Sequence, residues 1–145
     1  MPIEEITKTE RQSRLMQDKM SNELNPKNKI YRLRAAINWQ RLETRVKGLV
    51  EVSDLGRNRK DIRVMLGVVL LQAMYNLSDN QASEMFSENN YWQHFCGYEY
   101  FQRESMVSEA TIRRFRNILG EEGHLLILEE LQQAAMETGL LKKKT

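Results

Sequence analysis

The stretch 60–76, KDIRVMLGVVLLQAMYN, decides the fold. Ile62, Val64, Met65, Leu66, Val68, Val69, Leu70, Leu71 and Met74 fall on nearly every side of a helical wheel. A helix apolar all round is the buried centre of its domain, because no face is left that prefers water. A buried strand is the rival, but 17 residues is too long for one. The run is also too short to span a bilayer, and it carries Gln72.

Downstream, Ser78-Asp79-Asn80-Gln81 has the pattern of a capping box. The serine hydroxyl accepts from the Gln81 backbone, and the glutamine side chain reaches back. The helix it opens runs to about residue 88, with Ala82, Met85 and Phe86 inward. A gap of about two residues makes the turn sharp, as in a helix-turn-helix or a helical hairpin. Ser108 caps a further helix over 109–119, ended by Gly120. A last helix over about 121–138 carries Leu125, Leu128, Leu131 and Ala135 as its apolar stripe and ends at Gly139.

Upstream, residues 51–59 are loop-like, with Ser53, Asp54, Gly56 and Asn58 as turn residues. Asn38 caps a helix bearing Trp39, Leu42, Val46 and Leu49. Ile30, Leu33 and Ile37 mark an earlier helix, and Pro26, flanked by Asn25 and Asn28, stops anything before it. The expected fold is all-α: a compact domain of about six to seven helices, a buried central helix at 60–76 and helix-turn-helix-like hairpins. The expected organisation is a polar, partly helical segment at 1–24, a helical domain at 25–141 and a basic tail at 142–145.

Composition agrees. The 145 residues are 41% hydrophobic and 29% charged, with only 7 Gly and 2 Pro, which supports one modest core and favours helix. The one cysteine, Cys96, excludes an internal disulfide and a Cys-rich metal site. The polar, acidic first ten residues show no signal peptide, so the expected location is cytoplasmic.

The net charge of +2 hides segregation. Residues 27–63 hold 11 basic and 4 acidic side chains, a net of +7. Residues 64–112 hold 1 basic and 6 acidic, a net of −5. Such a pattern suits one face meeting a polyanion, and equally suits acidic and basic segments pairing with each other.

Two basic groups compete for a nucleic-acid role. On the helix after Ser108, Ile112, Phe115 and Leu119 share one face, while Arg113, Arg114, Arg116 and Asn117 lie on others. Arginine fits guanine edges and phosphates as a fork, and asparagine fits adenine. The alternative is pairing with Glu109, Glu121 or Glu122 on a solvated helix. Arg57, Arg59, Lys60 and Arg63 place four positive charges in seven residues, suited to phosphates, or simply forming a flexible basic loop. The aromatic run 91–101 suits base stacking or, at this density, closing a core. His94 and Cys96 lack a partner motif for zinc, and no expectation of metal or cofactor arises. Glu121-Glu122 and Glu129-Glu130 look like exposed helix surface.

Several runs, in order, are together more specific than any alone. They are Asn25-Pro26-Lys27, Ile37-Asn38-Trp39, Gly56-Arg57, Tyr75-Asn76-Leu77-Ser78-Asp79, Tyr91-Trp92-Gln93-His94-Phe95-Cys96-Gly97 with Tyr100-Phe101-Gln102, and Phe115-Arg116 with Leu119-Gly120-Glu121-Glu122-Gly123. Over roughly residues 10–141 the chain resembles the N-terminal domain of bacterial insertion-sequence DDE transposases of the InsH type. One departure is Asn58, where that family has proline after Gly-Arg.

The resemblance implies a DNA-binding module that recognises the terminal inverted repeats of a mobile element in DNA transposition. Its partner would be double-stranded DNA, with a homodimer or a separate catalytic chain as further partners, and no membrane or small-molecule substrate. The family's catalytic strand follows shortly after a segment like 138–141. No RNase H-like sheet that could gather carboxylates on Mg²⁺ can be written from these segments. The expected polypeptide is therefore not an enzyme by itself. Two other readings stand beside it: a helical protein–protein or dimerisation module, and a regulatory or inactive remnant of a truncated transposase.

Overall fold

The computed structural model describes residues 19–49, 62–104 and 107–139. Seven helices occur there: α1 (Met20–Glu23), α2 (Lys29–Ala36), α3 (Trp39–Leu49), α4 (Ile62–Tyr75), α5 (Asp79–Glu88), α6 (Asn90–Phe95) and α7 (Glu109–Glu137). No strand occurs among the described residues, so the all-α expectation holds.

The central helix is α4. Ile62 and every residue from Met65 to Gln72 are buried. It contacts α3, α5, α6 and α7. Its one glycine has a steric reason. A Cβ on Gly67 would lie 2.6 Å from the Cys96 sulfur and 3.1 Å from the Cys96 Cα, so α4 and the end of α6 meet closer than any side chain allows. A helix-interior glycine costs about 0.5–1 kcal/mol relative to alanine, and here the close approach offsets it.

Local chemistry sets the boundaries. The Asn28 side chain accepts from the Ile30 and Tyr31 amides, and the Asn38 side chain accepts from the Arg41 amide at 3.0 Å. The capping box at Ser78 forms in both directions, at 3.1 and 3.0 Å. Each such cap contributes about 1 kcal/mol. α4 ends at Asn76, whose φ of 53° is left-handed. There the Leu77 amide donates to the Gln72 carbonyl at 3.0 Å and the Asn76 amide to Ala73 at 3.4 Å, a Schellman closure. The sharp α4–α5 turn thus has a chemical cause at both ends.

The aromatic run belongs to the core. Trp92 and Phe95 are fully buried, Trp39 meets Phe95 edge-on at 5.0 Å, and Phe86 meets Tyr98 at 6.0 Å. Part of the run is α6, a helix that the sequence reading leaves unassigned. Gln93, also fully buried, donates to the Phe86 and Gln102 carbonyls and accepts from the Gln102 amide, fixing the segment that follows.

α7 has two arms, 109–119 and 121–137, separated by Gly120 at φ 62° and ψ −169°. The stop expected at Gly120 is therefore real, though the chain resumes helix at once. Of the stripe expected on the second arm, Leu131 and Ala135 pack against the core, and Leu125 and Leu128 do not. Leu125 and Leu128 are 65% and 47% exposed, and the buried positions are Gly123, Leu126, Ile127, Glu130, Ala134 and Ala135. Four consecutive apolar residues, 125–128, left the phase of that stripe open. Met20, in the segment expected as polar, is buried, and its amide donates to the Glu99 carbonyl at 2.8 Å. Among the described residues no helix is long and apolar enough to cross a membrane.

Candidate nucleic-acid interface

The first arm of α7 is held by Ile112, Phe115 and Leu119, all buried. That leaves Arg113, Arg114 and Asn117 exposed and Arg116 half-buried. Asp79, in the first turn of α5, organises two of these arginines. The Arg116 Nη2 donates to Asp79 Oδ2 at 3.1 Å, and its Nε lies 3.0 Å from Oδ1, off-line for a hydrogen bond. The Arg113 Nε stands 3.8 Å from the same carboxylate, while its Nη2 donates to Glu109 at 2.7 Å. Gln72, buried in α4, donates to Asp79 Oδ1 at 2.8 Å. The carboxylate is thus anchored to the core and in turn orients the guanidiniums. Arg114 makes no ion pair among the described residues.

The other basic group divides. Arg57, Arg59 and Lys60 lie outside the described residues. Arg63 is half-buried, with its guanidinium carbon 3.1 Å from the centre of the Trp39 ring. Burial foremost, with Arg34 nearby acting in the same direction, lowers its pKa to about 10. The two groups named from sequence therefore differ in kind: one is an exposed helix face, the other is partly packed against an aromatic ring.

Sequence reasoning missed three features. Glu130, expected as surface, is 2% exposed and accepts from Arg41 Nε and Nη2, both at 2.8 Å, and from Arg45 Nη1 at 3.1 Å. Those hydrogen bonds, foremost from Arg41, hold its carboxyl below the usual carboxylate range against the opposing effect of burial. This clamp ties α3 to the second arm of α7. His94 is buried and stacked on Tyr31, with ring centres 4.8 Å apart. Burial, then Arg34 and Arg63, lowers its pKa to about 4. Trp39 links two of these players, since its indole N–H donates to the Arg34 carbonyl at 3.0 Å. Nothing in the spacing of Arg41 and Glu130, or of Tyr31 and His94, foretold that they meet, because those contacts join helices far apart in the chain.

Burial pushes the Cys96 thiol up to about 12, far from a reactive thiolate. Among the described residues, no three His, Cys, Asp or Glu side chains gather as a metal site.

Comparison with known proteins adds a family. Residues 18–117 match the family model described as Transposase domain (DUF772). The match covers α1 to α6 and ends within the first arm of α7. The chain is similar to the uncharacterized protein ORF8 in the nfe locus of Rhizobium meliloti, at 31% identity over 131 residues. That alignment covers 90% of this chain and 62% of the relative, so the chain spans less than two-thirds of that protein's length. No solved structure matches.

Proposed function

The chain belongs to the Transposase domain (DUF772) family, and from that premise we propose that it is a DNA-binding module of an insertion-sequence transposase. In this reading it recognises the terminal inverted repeats of the element and performs no strand transfer by itself. The chemistry belongs to a DDE catalytic domain, in the same polypeptide or in a partner.

One observation carries the reading. The first arm of α7 is anchored by three apolar residues and turns Arg113, Arg114 and Asn117 outward. Arg113 and Arg116 are oriented beforehand by Asp79. A guanidinium held in place loses less freedom on reaching a base or phosphate. Exposed pairs such as Arg113–Glu109 contribute little to stability, about 0–1 kcal/mol, so DNA phosphates can exchange with them. The basic residues Arg57, Arg59, Lys60 and Arg63 add phosphate contacts in this reading.

The test is a gel-shift series with duplexes bearing the element ends and with random duplex. The expected result is tighter binding to the ends, by about 1–3 kcal/mol for each bidentate base contact. Replacing Arg113 and Arg116 together by alanine should erase that preference and lower the salt slope by about two. Equal affinity for both duplexes, with a slope untouched by the substitutions, sinks the reading.

A second reading has its own observation. Leu125, Leu128 and Met136 are exposed on the second arm. They favour a helical association surface, for dimerisation or for pairing with a catalytic chain. Sedimentation of the wild type against a Leu125→Gln, Leu128→Gln variant separates the two readings. A strict monomer that binds DNA removes the second.

A further inference from the structure

Three helices bring Arg34, Arg63 and His94 together with no matching acid among the described residues. Arg34 is on α2, Arg63 in the first turn of α4 and His94 in the last turn of α6. Each carries a buried nitrogen with no hydrogen-bond partner among the described residues: Nε of Arg34, Nη1 of Arg63 and Nδ1 of His94. Elsewhere the fold treats arginine differently. Arg116 has Asp79, and Arg41 and Arg45 have Glu130. No described carboxylate lies within ion-pairing distance of Arg34 or Arg63; Glu43 acts on Arg63 only through its field.

The groups are also held still. The Arg63 guanidinium carbon lies 3.1 Å from the centre of the Trp39 ring, and a Cβ on Gly97 would come within 3.6 Å of the Arg63 Cγ and 3.8 Å of its guanidinium carbon. Trp39 is fixed by its bond to the Arg34 carbonyl. His94 is fixed by stacking on Tyr31, one helical turn before Arg34. Two guanidiniums in mutual repulsion, with unpaired donors, disfavour the folded state unless an anion joins them. A tetrahedral oxyanion accepts from several N–H groups at once, and the arginine fork matches it.

We propose that Arg34, Arg63 and His94 form a phosphate subsite that grips a backbone phosphate of bound DNA, away from the arginines of α7. This rests on the DNA-binding reading above. Such a contact adds affinity and register and reads no base. In the sequence, Arg63 stands three residues after Lys60, the end of the basic run at Arg57, Arg59 and Lys60.

The variant to make is Arg34→Gln. It keeps the main-chain carbonyl that Trp39 uses, and unchanged far-ultraviolet dichroism and tryptophan emission would verify folding. Two probes are used: a short random-sequence duplex across a salt series, and inorganic phosphate in a thermal melt against chloride of equal ionic strength. The expected result is a salt slope lower by about one for the variant. Phosphate should raise the melting temperature of the wild type more than that of the variant. Arg114→Ala serves as a control, since it should lower the duplex slope and leave the phosphate effect intact. If neither protein binds duplex but phosphate still stabilises only the wild type, the subsite stands as a free-phosphate site and the DNA reading fails. If both proteins bind duplex with the same slope, or phosphate stabilises both equally, the subsite is overturned while the DNA reading survives.

Discussion

Before Gly120, α7 is held by Ile112, Phe115 and Leu119 and turns arginines to the solvent. After Gly120 it is held by Arg41 and Arg45 of α3, which donate to the buried carboxylate of its Glu130, and leaves Leu125 and Leu128 in water. One arm hides its apolar residues and shows charge. The other hides a charge beside Leu126, Ile127, Ala134 and Ala135 and leaves two leucines exposed. The difference teaches that amphipathicity is a property of each arm's neighbours as much as of its sequence. The first arm meets Asp79 and Asn80 of α5; the second meets Arg41 and Arg45 of α3.

The comparison breaks most sharply at Phe115. Phe115→Ala removes the largest buried side chain of the first arm and should cost about 3–5 kcal/mol, read from denaturant unfolding. A loss comparable to a surface substitution would mean that this arm is not anchored as described.

Glu130→Gln comes next. Replacing a charged acceptor by an amide in the same place should cost roughly 1–3 kcal/mol. The variant also carries a pH signature. A carboxyl with a lowered folded pKa favours the native state above its ordinary value of 4.5, and that contribution fades as pH falls through the lower folded value. Glu130→Gln should flatten this acid loss. His94 titrates in a higher window. Its folded pKa near 4, against an ordinary 6.5, makes stability decline as pH falls from about 6.5 toward 4. The cause is that the unfolded chain takes up the proton first. Tyr31, Arg34 and Arg63 surround that ring, and His94→Gln should remove the higher window while leaving the lower one. Acid unfolding monitored by circular dichroism separates the two.

The smallest effect sharpens the comparison from the other side. Leu125→Gln should change the stability of an isolated chain by no more than about 0.5 kcal/mol, since the side chain is already in water. A concentration-dependent loss would show that a partner normally covers it.

These contrasts also explain what could be read in advance. The first arm was legible because its cap, its apolar triad and its terminating glycine all lie within 13 residues, 108–120. The capping box at Ser78 and the buried α4 were legible for the same reason, being local. The second arm was not, since 125–128 fits two helical phases, and the partners of Glu130, Arg41 and Arg45, stand 89 and 85 residues away. The candidate site divides in the same manner. The exposed arginines of α7 follow from periodicity, whereas the Arg34–Arg63–His94 cluster needs three helices to be in place before it exists.

The close approach at Gly67 has a use in the laboratory. Cys96 is the chain's one thiol, it is buried, and α4 presses against it where no side chain intervenes. A thiol reagent therefore cannot reach it while α4 and α6 stay seated together. The rate at which a maleimide or disulfide dye labels the native protein counts how often that seam opens. Because α6 also carries His94 and Trp92, the same clock reports on the core and the phosphate cluster with no engineered probe.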